Sequence, residues 1–356
     1  MKKIVLTGGG SAGHVTPNIA LIPRLRELGY EISYIGSHDG IERKLIEDIG
    51  IPYYPISVGK FRRYFDLKNL SDPFRVIKGV RDAKNHLREI QPDIVFSKGG
   101  FVSVPVVRAA HTLKIPIIAH ESDMTPGLAN KLCLPMADAI CCNFPETMDK
   151  LPKGKAVLTG TPIRAELLSG SRDRGLAFTE FAGKKPVVLV IGGSLGSVAV
   201  NRAVREALPE LLTTFDIVHL CGKGKIDGGL VGRPGYKQYE YISGELPDLY
   251  AMADVVVSRA GANAICEIAA RRKPNILIPL PADSSRGDQL LNAMSFELRG
   301  FSVVFQEDAL TTKKLIDTLR SLAANPQPYV KAMAESGQGD AIRTITELIE
   351  EKVGKR

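Results

Sequence analysis

The chain of 356 residues carries 47 Lys and Arg against 39 Asp and Glu, a formal net charge of +8, with 34 Gly and no Trp. That length suits about two domains with separate cores, and no apolar run approaches the roughly 20 residues of a membrane span. Met1 is followed at once by Lys2, Lys3 and a strand-like run, which leaves no room for a signal peptide, so a cytoplasmic protein is expected.

Strand-like runs of four to six residues alternate with helical patterns, which argues for parallel sheets built from βαβ units. The first strand, Ile4 to Thr7, runs into Gly8-Gly9-Gly10-Ser11-Ala12-Gly13-His14. This formally contains the dinucleotide fingerprint, but the second strand, Glu31 to Ile35, ends in Gly36-Ser37-His38 without the acidic residue that a dinucleotide site needs. The glycines instead let backbone approach a ligand, and a helix starting near Val15 presents its N-terminus. His14, at the mouth of this turn, is a candidate for proton transfer near neutral pH. A helix over residues 40–48 and a third strand, Pro52 to Val58, follow.

From Lys60 to Ile90 there are nine Lys or Arg against four acids. Phe61, Tyr64 and Phe65 are interleaved with Arg62 and Arg63. Phe74 to Arg88 reads as a helix with Val76, Val80, Ala83 and Leu87 on one side and Lys78, Arg81, Lys84 and Arg88 on another. Aromatic and basic groups together suit an anionic bilayer surface, and a solvated basic face over an ordinary core stays open as the other reading. Two more strand-to-glycine or strand-to-turn sequences come next. Asp93 to Ser97 leads into Lys98-Gly99-Gly100-Phe101, and Ile115 to Ala119 leads into His120-Glu121-Ser122-Asp123. Polar residues at this carboxyl edge are expected to meet a ligand, although Ser122 and Asp123 also suit turn capping.

Strands at Ala139 to Asn143 and Lys155 to Leu158 precede a linker, Thr159 to Arg164. Beyond it, Val187 to Asn201 repeats the pattern of Ile4 to Asn18 at a constant offset of 183, which predicts two similar doubly wound α/β domains. Further strands are expected at Asp216 to Leu220, Gln238 to Ile242, Asp254 to Val257, Asn275 to Ile278 and Ser302 to Phe305, and a last helix over Asp340 to Lys352. The turn Ser258 to Ala262 then aims helix N–H groups at one spot, suiting a diphosphate. Glu267, one helical turn after Asn263, suits the vicinal hydroxyls of a ribose. The five cysteines show no metal-ligand spacing and read as reduced, buried thiols. No Asp-x-Asp and no Walker A sequence occurs, which weakens metal-dependent sugar-nucleotide chemistry and ATP hydrolysis.

Taken together, Gly8 to Pro17, Lys98 to Ser103, His120 to Asp123, Gly160 to Arg164, Gly192 to Gly196 and the stretch 253–292 resemble the MurG family of peptidoglycan N-acetylglucosaminyltransferases. The resemblance implies a GT-B fold, two Rossmann-like domains facing across a cleft. An acceptor and membrane domain would span 1–163, a donor domain 164–340, and the helix 341–356 would pack back on the first. It implies inverting transfer of GlcNAc from UDP-GlcNAc to the 4-hydroxyl of lipid I, giving lipid II, without metal or cofactor. The implied setting is the cytoplasmic face of the bacterial cell membrane, peripherally bound at its anionic inner surface, within a cell-wall synthesis and division complex and with no nucleic acid. Carried over by motif, Ser11, Ala12 and Gly13 border the sugar and diphosphate, Ser194 binds the diphosphate, and Ala262, Asn263, Ala264, Ile265 and Cys266 form the phosphate turn. Arg164 and the Ile242 backbone hold the uracil, Glu267 the ribose, and Gln289 and Asp123 the GlcNAc hydroxyls. Gly99, Gly100, Phe101 and Glu121 lie on the acceptor side, Phe61, Arg62, Arg63, Tyr64, Phe65, Lys78 and Arg81 at the membrane, and His14 is the candidate base. Asp123 and Phe101 depart from the family's frequent Asn and Tyr, so Asp123 when ionised only accepts and Phe101 has no phenol. A UDP-GlcNAc 2-epimerase, another GT-B glycolipid synthase and a non-enzymatic sugar-nucleotide sensor are the competing readings.

Overall fold

The computed structural model describes residues 1–59, 72–193, 195–242, 244–284, 287–336 and 340–355. Phe61, Arg62, Arg63, Tyr64, Phe65 and Ser194, named above for the membrane and the diphosphate, lie outside the described residues. The chain forms two compact units, Met1–Arg164 with Asp340–Arg356, and Ala165–Gly339.

In the first unit seven strands lie in the order β3-β2-β1-β4-β5-β6-β7. They are β1 (Lys2–Thr7), β2 (Tyr30–Ser37), β3 (Tyr53–Ile56), β4 (Ile94–Ser97), β5 (Ile117–Glu121), β6 (Ala139–Cys142) and β7 (Ala156–Leu158). All pairings are parallel, with Ile4 opposite both Ile32 and Ile94. Strand residues alternate between the two faces: Val5, Ile35, Val95 and Ile117 pack into one apolar layer, Ile4, Leu6, Ile32, Phe96 and Ile118 into the other. Burial on both faces explains the near-continuous apolar runs.

The second unit has six parallel strands ordered β10-β9-β8-β11-β12-β13. They are β8 (Val187–Ile191), β9 (Asp216–Leu220), β10 (Tyr236–Tyr239), β11 (Val255–Ser258), β12 (Asn275–Leu277) and β13 (Val303–Val304). In each sheet the strand order reverses beside the first strand, between β1 and β4 and between β8 and β11. At such switch points the loops diverge and leave a crevice at the carboxyl edge.

Two of the shifts in strand boundaries bear on the site. β5 starts later and continues through His120 and Glu121, because both side chains find internal partners and can stay buried. β10 stops at Tyr239, leaving Ile242 in the loop before the helix Leu246–Met252. The last helix, Ala341–Gly354, packs Ile345 and Ile349 into the first unit's core beside Leu21 and Leu25 of the helix Thr16–Glu27. Glu350 adds polar ties there, taking hydrogen bonds from Lys2 Nζ at 2.5 Å and from the Tyr30 hydroxyl. Ile345 is fully buried. Its replacement by Ala is expected to cost about 2–5 kcal/mol, read as a lower urea midpoint for the first unit, and an unchanged midpoint would show the helix to be peripheral.

Candidate functional site

In the second unit β8 is followed by Gly192 and Gly193, and the helix Val198–Leu211 starts under a Ser197 cap, the hydroxyl accepting from Val200 N at 3.2 Å. β11 runs into the turn 259–261, which starts the helix Ala262–Ala270 at Gly261. Glycine supplies no capping side chain to that helix start. A cavity of about 500 Å³ opens between these turns, lined among others by Gly192, Gly193, Ser197, Arg259, Gly261, Ala264, Gln289 and Glu307. This volume is in the range of small-molecule sites.

Arg259 organises the cavity and was not singled out from the sequence. Its guanidinium is almost fully buried and donates to Ser197 Oγ at 2.6 Å, to the carbonyls of Ile278 and Pro279 at 3.0 and 3.1 Å, and to the Glu307 carboxylate. One cation thus joins both glycine turns to the loop after β12. Gln289, in the helix Asp288–Leu298, accepts from Leu280 N at 3.1 Å through Oε1. Ala262, Asn263 and Ala264 form the first turn of their helix, whereas the Ile265 and Cys266 side chains are buried and leave only backbone to offer. Glu267 is half-buried on that helix, near enough to the buried Tyr250 for its charge to help hold that phenol protonated. Ile242 is buried, and Arg164 ends the first unit, its Nε shielded from water.

In the first unit the turns after β1 and β4 interlock. Gly10 has φ +86° and Gly100 φ +80°, and each is closely covered: a side chain on Gly10 would overlap the Phe101 ring, and one on Gly100 would overlap the Gly9 carbonyl. His14 ends a single 3-10 turn, Ala12–His14, and its ring borders Gly100. From below, the Tyr34 hydroxyl donates to Gly8 O at 2.7 Å, and Asn18 Nδ2 donates to Thr7 O at 3.2 Å. Glu42, fully buried on the helix Ile41–Glu47, accepts from Gly10 N and Ser37 N, both at 3.2 Å, and from the Ser37 hydroxyl. The Gly10 amide is therefore spent inside the protein. Glu42 also escaped the sequence reading, since an acid in a helix's first turn ordinarily faces water.

His120 is sealed in the sheet with Nε2 2.9 Å from Gly160 O; burial and the charge of Lys98 hold its pKa well below the ordinary value. Glu121 lies beneath its turn rather than on it. Its carboxylate accepts from Asp123 N at 2.9 Å, Gly127 N at 3.3 Å and Asn130 Nδ2 at 2.8 Å. Asp123 itself stays half-buried at the surface of the turn. His120 and Glu121, expected at a ligand, are thus buried with partners inside the protein, and Asp123 is the residue of the three at the surface of the turn.

The glycosyltransferase family 28 N-terminal domain matches residues 4–142, and the C-terminal domain of the same family matches residues 187–349. Over 351 residues, 99% of both chains, the sequence is 61% identical to the UDP-N-acetylglucosamine--N-acetylmuramyl-(pentapeptide) pyrophosphoryl-undecaprenol N-acetylglucosamine transferase of Lachnoclostridium phytofermentans. The chain belongs to glycosyltransferase family 28. Its fold is that of family 28 members of GT-B topology: the crystal structure of Acinetobacter baumannii MurG superposes with TM-score 0.78 at 26% identity over 99% of this chain and 100% of that one. A putative UDP-N-acetylglucosamine 2-epimerase from Listeria monocytogenes also shares the fold, with TM-score 0.74 but 14% identity over 100% of this chain and 98% of that one.

The turn after β5 carries a titration worth measuring in this family 28 chain. Burial, joined by the Asp123 charge, raises the pKa of Glu121 to about 7 against the pull of its hydrogen bonds and of Lys98. An acid whose folded pKa lies above its unfolded one stabilises the fold at low pH and loses that contribution as pH rises through the folded value. Glu121→Gln, which stays neutral, is therefore expected to gain stability relative to the wild type between about pH 5 and about pH 8, read as a growing difference in Tm. A constant difference would show that Glu121 titrates normally.

Proposed function

We propose that the chain transfers GlcNAc from UDP-GlcNAc to the 4-hydroxyl of the MurNAc sugar of lipid I, inverting the anomeric centre and giving lipid II. The 61% identity across 99% of both chains to an enzyme named for that transfer carries the reading. The cavity in the second unit supports it, because its glycine turns and helix end suit a diphosphate and its rim carries Gln289 and Glu307.

In this reading the 4-hydroxyl oxygen attacks C1 of GlcNAc from the face opposite UDP. The C1–O bond to the diphosphate breaks, its electron pair leaves with UDP, and the hydroxyl proton passes to His14. The N-terminus of the helix Ala262–Ala270 stabilises the departing charge by roughly 0.3–2 kcal/mol. Arg259 holds that turn in place. Glu267 takes the ribose hydroxyls, Arg164 and the Ile242 backbone the uracil, and Gln289 and Asp123 the sugar hydroxyls. The backbone of Ser11 to Gly13, with Gly99 and Gly100, borders the acceptor.

The acceptor's lipid requires a membrane surface. Among the described residues no helix is long and apolar enough to cross a membrane. We propose peripheral attachment to the cytoplasmic face through the helix Asp72–Ile90. Ala83 and Leu87 pack it into the core, while Phe74 and Ile77 are 75% and 68% exposed beside exposed Arg75, Lys78 and Arg81.

UDP release from UDP-GlcNAc, measured in EDTA with and without a short-chain lipid I analogue, tests the transfer. Release with a disaccharide product only when the analogue is present is expected. Release or sugar isomerisation without it would mean the epimerase, and donor binding without turnover a sensor. His14→Ala is expected to lower kcat by about 100-fold or more with little change in donor KM, whereas Glu267→Ala should raise donor KM about tenfold or more. An unchanged kcat removes His14 from proton transfer. For the membrane contact, Lys78→Ala with Arg81→Ala should weaken partition onto phosphatidylglycerol vesicles by about 2 kcal/mol, roughly thirtyfold, leaving turnover of the soluble analogue intact. Equal partition of variant and wild type would move the contact elsewhere.

A further inference from the structure

We infer that Lys98 is a positioning residue for the transfer, a buried cation that braces the turn carrying Asp123 from the end of β4, beside Gly8 of the turn that leads to His14. The inference rests on the transferase reading above. Lys98 follows β4 directly and is fully buried, which is rare for lysine. Its backbone N–H donates to Thr7 O at 2.9 Å, and its Cβ lies 3.2 Å from where a side chain on Gly8 would begin. Its ammonium donates to the Ser122 hydroxyl. The side chain therefore runs beneath the carboxyl edge of the sheet, from the glycine turn after β1 to the turn after β5.

A Met or Leu of similar volume would fill that space without the desolvation cost of a buried ammonium. The charge has identifiable targets. It lowers the pKa of buried His120 and Glu121, and of the Cys141 thiol that burial pushes up to about 12. Glu121 responds most usefully. Facing it are the charged Asp123 on its own turn, Lys98 after β4, the Cys142 thiol on β6 and the amide of Asn130 on the helix Leu128–Cys133. Lys98 is the cation that opposes burial there and favours the carboxylate. Ionised, Glu121 accepts from three N–H groups and shapes the turn; protonated, it gives up part of that capacity. Removing the ammonium therefore raises the pH at which Glu121 takes a proton and loosens the Asp123 turn at neutral pH.

The test uses the full chain with UDP-GlcNAc and a soluble short-chain lipid I analogue. It compares the wild type with Lys98→Met, Lys98→Arg and Ser122→Ala across about pH 6 to 9.5. Lys98→Met is expected to lower kcat about tenfold or more at neutral pH with donor KM within about twofold, and to move the acid limb of the kcat profile to higher pH. Lys98→Arg keeps the charge and should keep the limb where the wild type has it. Ser122→Ala should lower kcat a few-fold without moving the limb. A cooperatively melting Lys98→Met with wild-type kcat and an unmoved limb overturns the inference alone. If that variant does not melt cooperatively, Ser122→Ala decides, and wild-type kcat there overturns it. A wild type that makes no disaccharide overturns the transferase reading and this inference with it.

Discussion

Glycine turns have no side chains with which to hold themselves, and in this protein buried charges hold them. The turns after β1, β4, β8 and β11 must bring bare backbone to the carboxyl edge of a sheet, and that requirement selects glycine. Order must then come from elsewhere. Glu42 takes the Gly10 amide, Lys98 lies under Gly8, Glu121 collects the N–H groups of its own turn, and Arg259 joins two turns through four acceptors. Each is a group whose burial is costly unless it is paired, so each turn is specified by a network with few alternatives.

The two units solve this problem with opposite signs. Asn18 and Asn201, 183 residues apart, both sit in the first turn of the first helix and tie it to the sheet edge, one through Thr7 O and the other through Cys221 O at 2.9 Å. Past that shared device they diverge. The first turn of the first unit is braced by a carboxylate that consumes an amide. The corresponding turn of the second unit is braced by a guanidinium, which adds positive potential to the helix end. One repeated pattern is thus braced by a guanidinium in the second unit and by a carboxylate in the first.

Much of this architecture was legible because parallel strands buried on both faces leave short β-branched runs, and glycine turns punctuate them. The repeat at offset 183 was visible for the same reason. What escaped was burial of charge. Glu42 in a first helical turn and Lys98 before two glycines look like solvated groups in a linear reading, and only the folded sheet edge encloses them. The ends of β5 and β10 were misjudged on related grounds. His120 and Glu121 look like loop residues until Gly160 and Asn130 appear as their partners, and Ile242 looks like strand until its neighbours turn away after Tyr239.

The helix Asp72–Ile90 shows the limit of periodicity most directly. Its inner stripe is narrow because Gly79 comes so close to the Ser57 carbonyl that no side chain fits, while Ser57 N donates to Asp82 at 3.1 Å. Core packing therefore uses Ala83, Leu87 and Ile90, and neither Phe74 nor Ile77 is drawn inward. Leaving such a side chain in water forgoes roughly 1.5–3 kcal/mol that burial would recover. The stripe of Val76, Val80, Ala83 and Leu87 leaves these two apolar residues aside, and the fold makes no use of them. Their exposure beside Arg75, Lys78 and Arg81 separates the part of the sequence that builds the unit from the part that is left to meet something outside it.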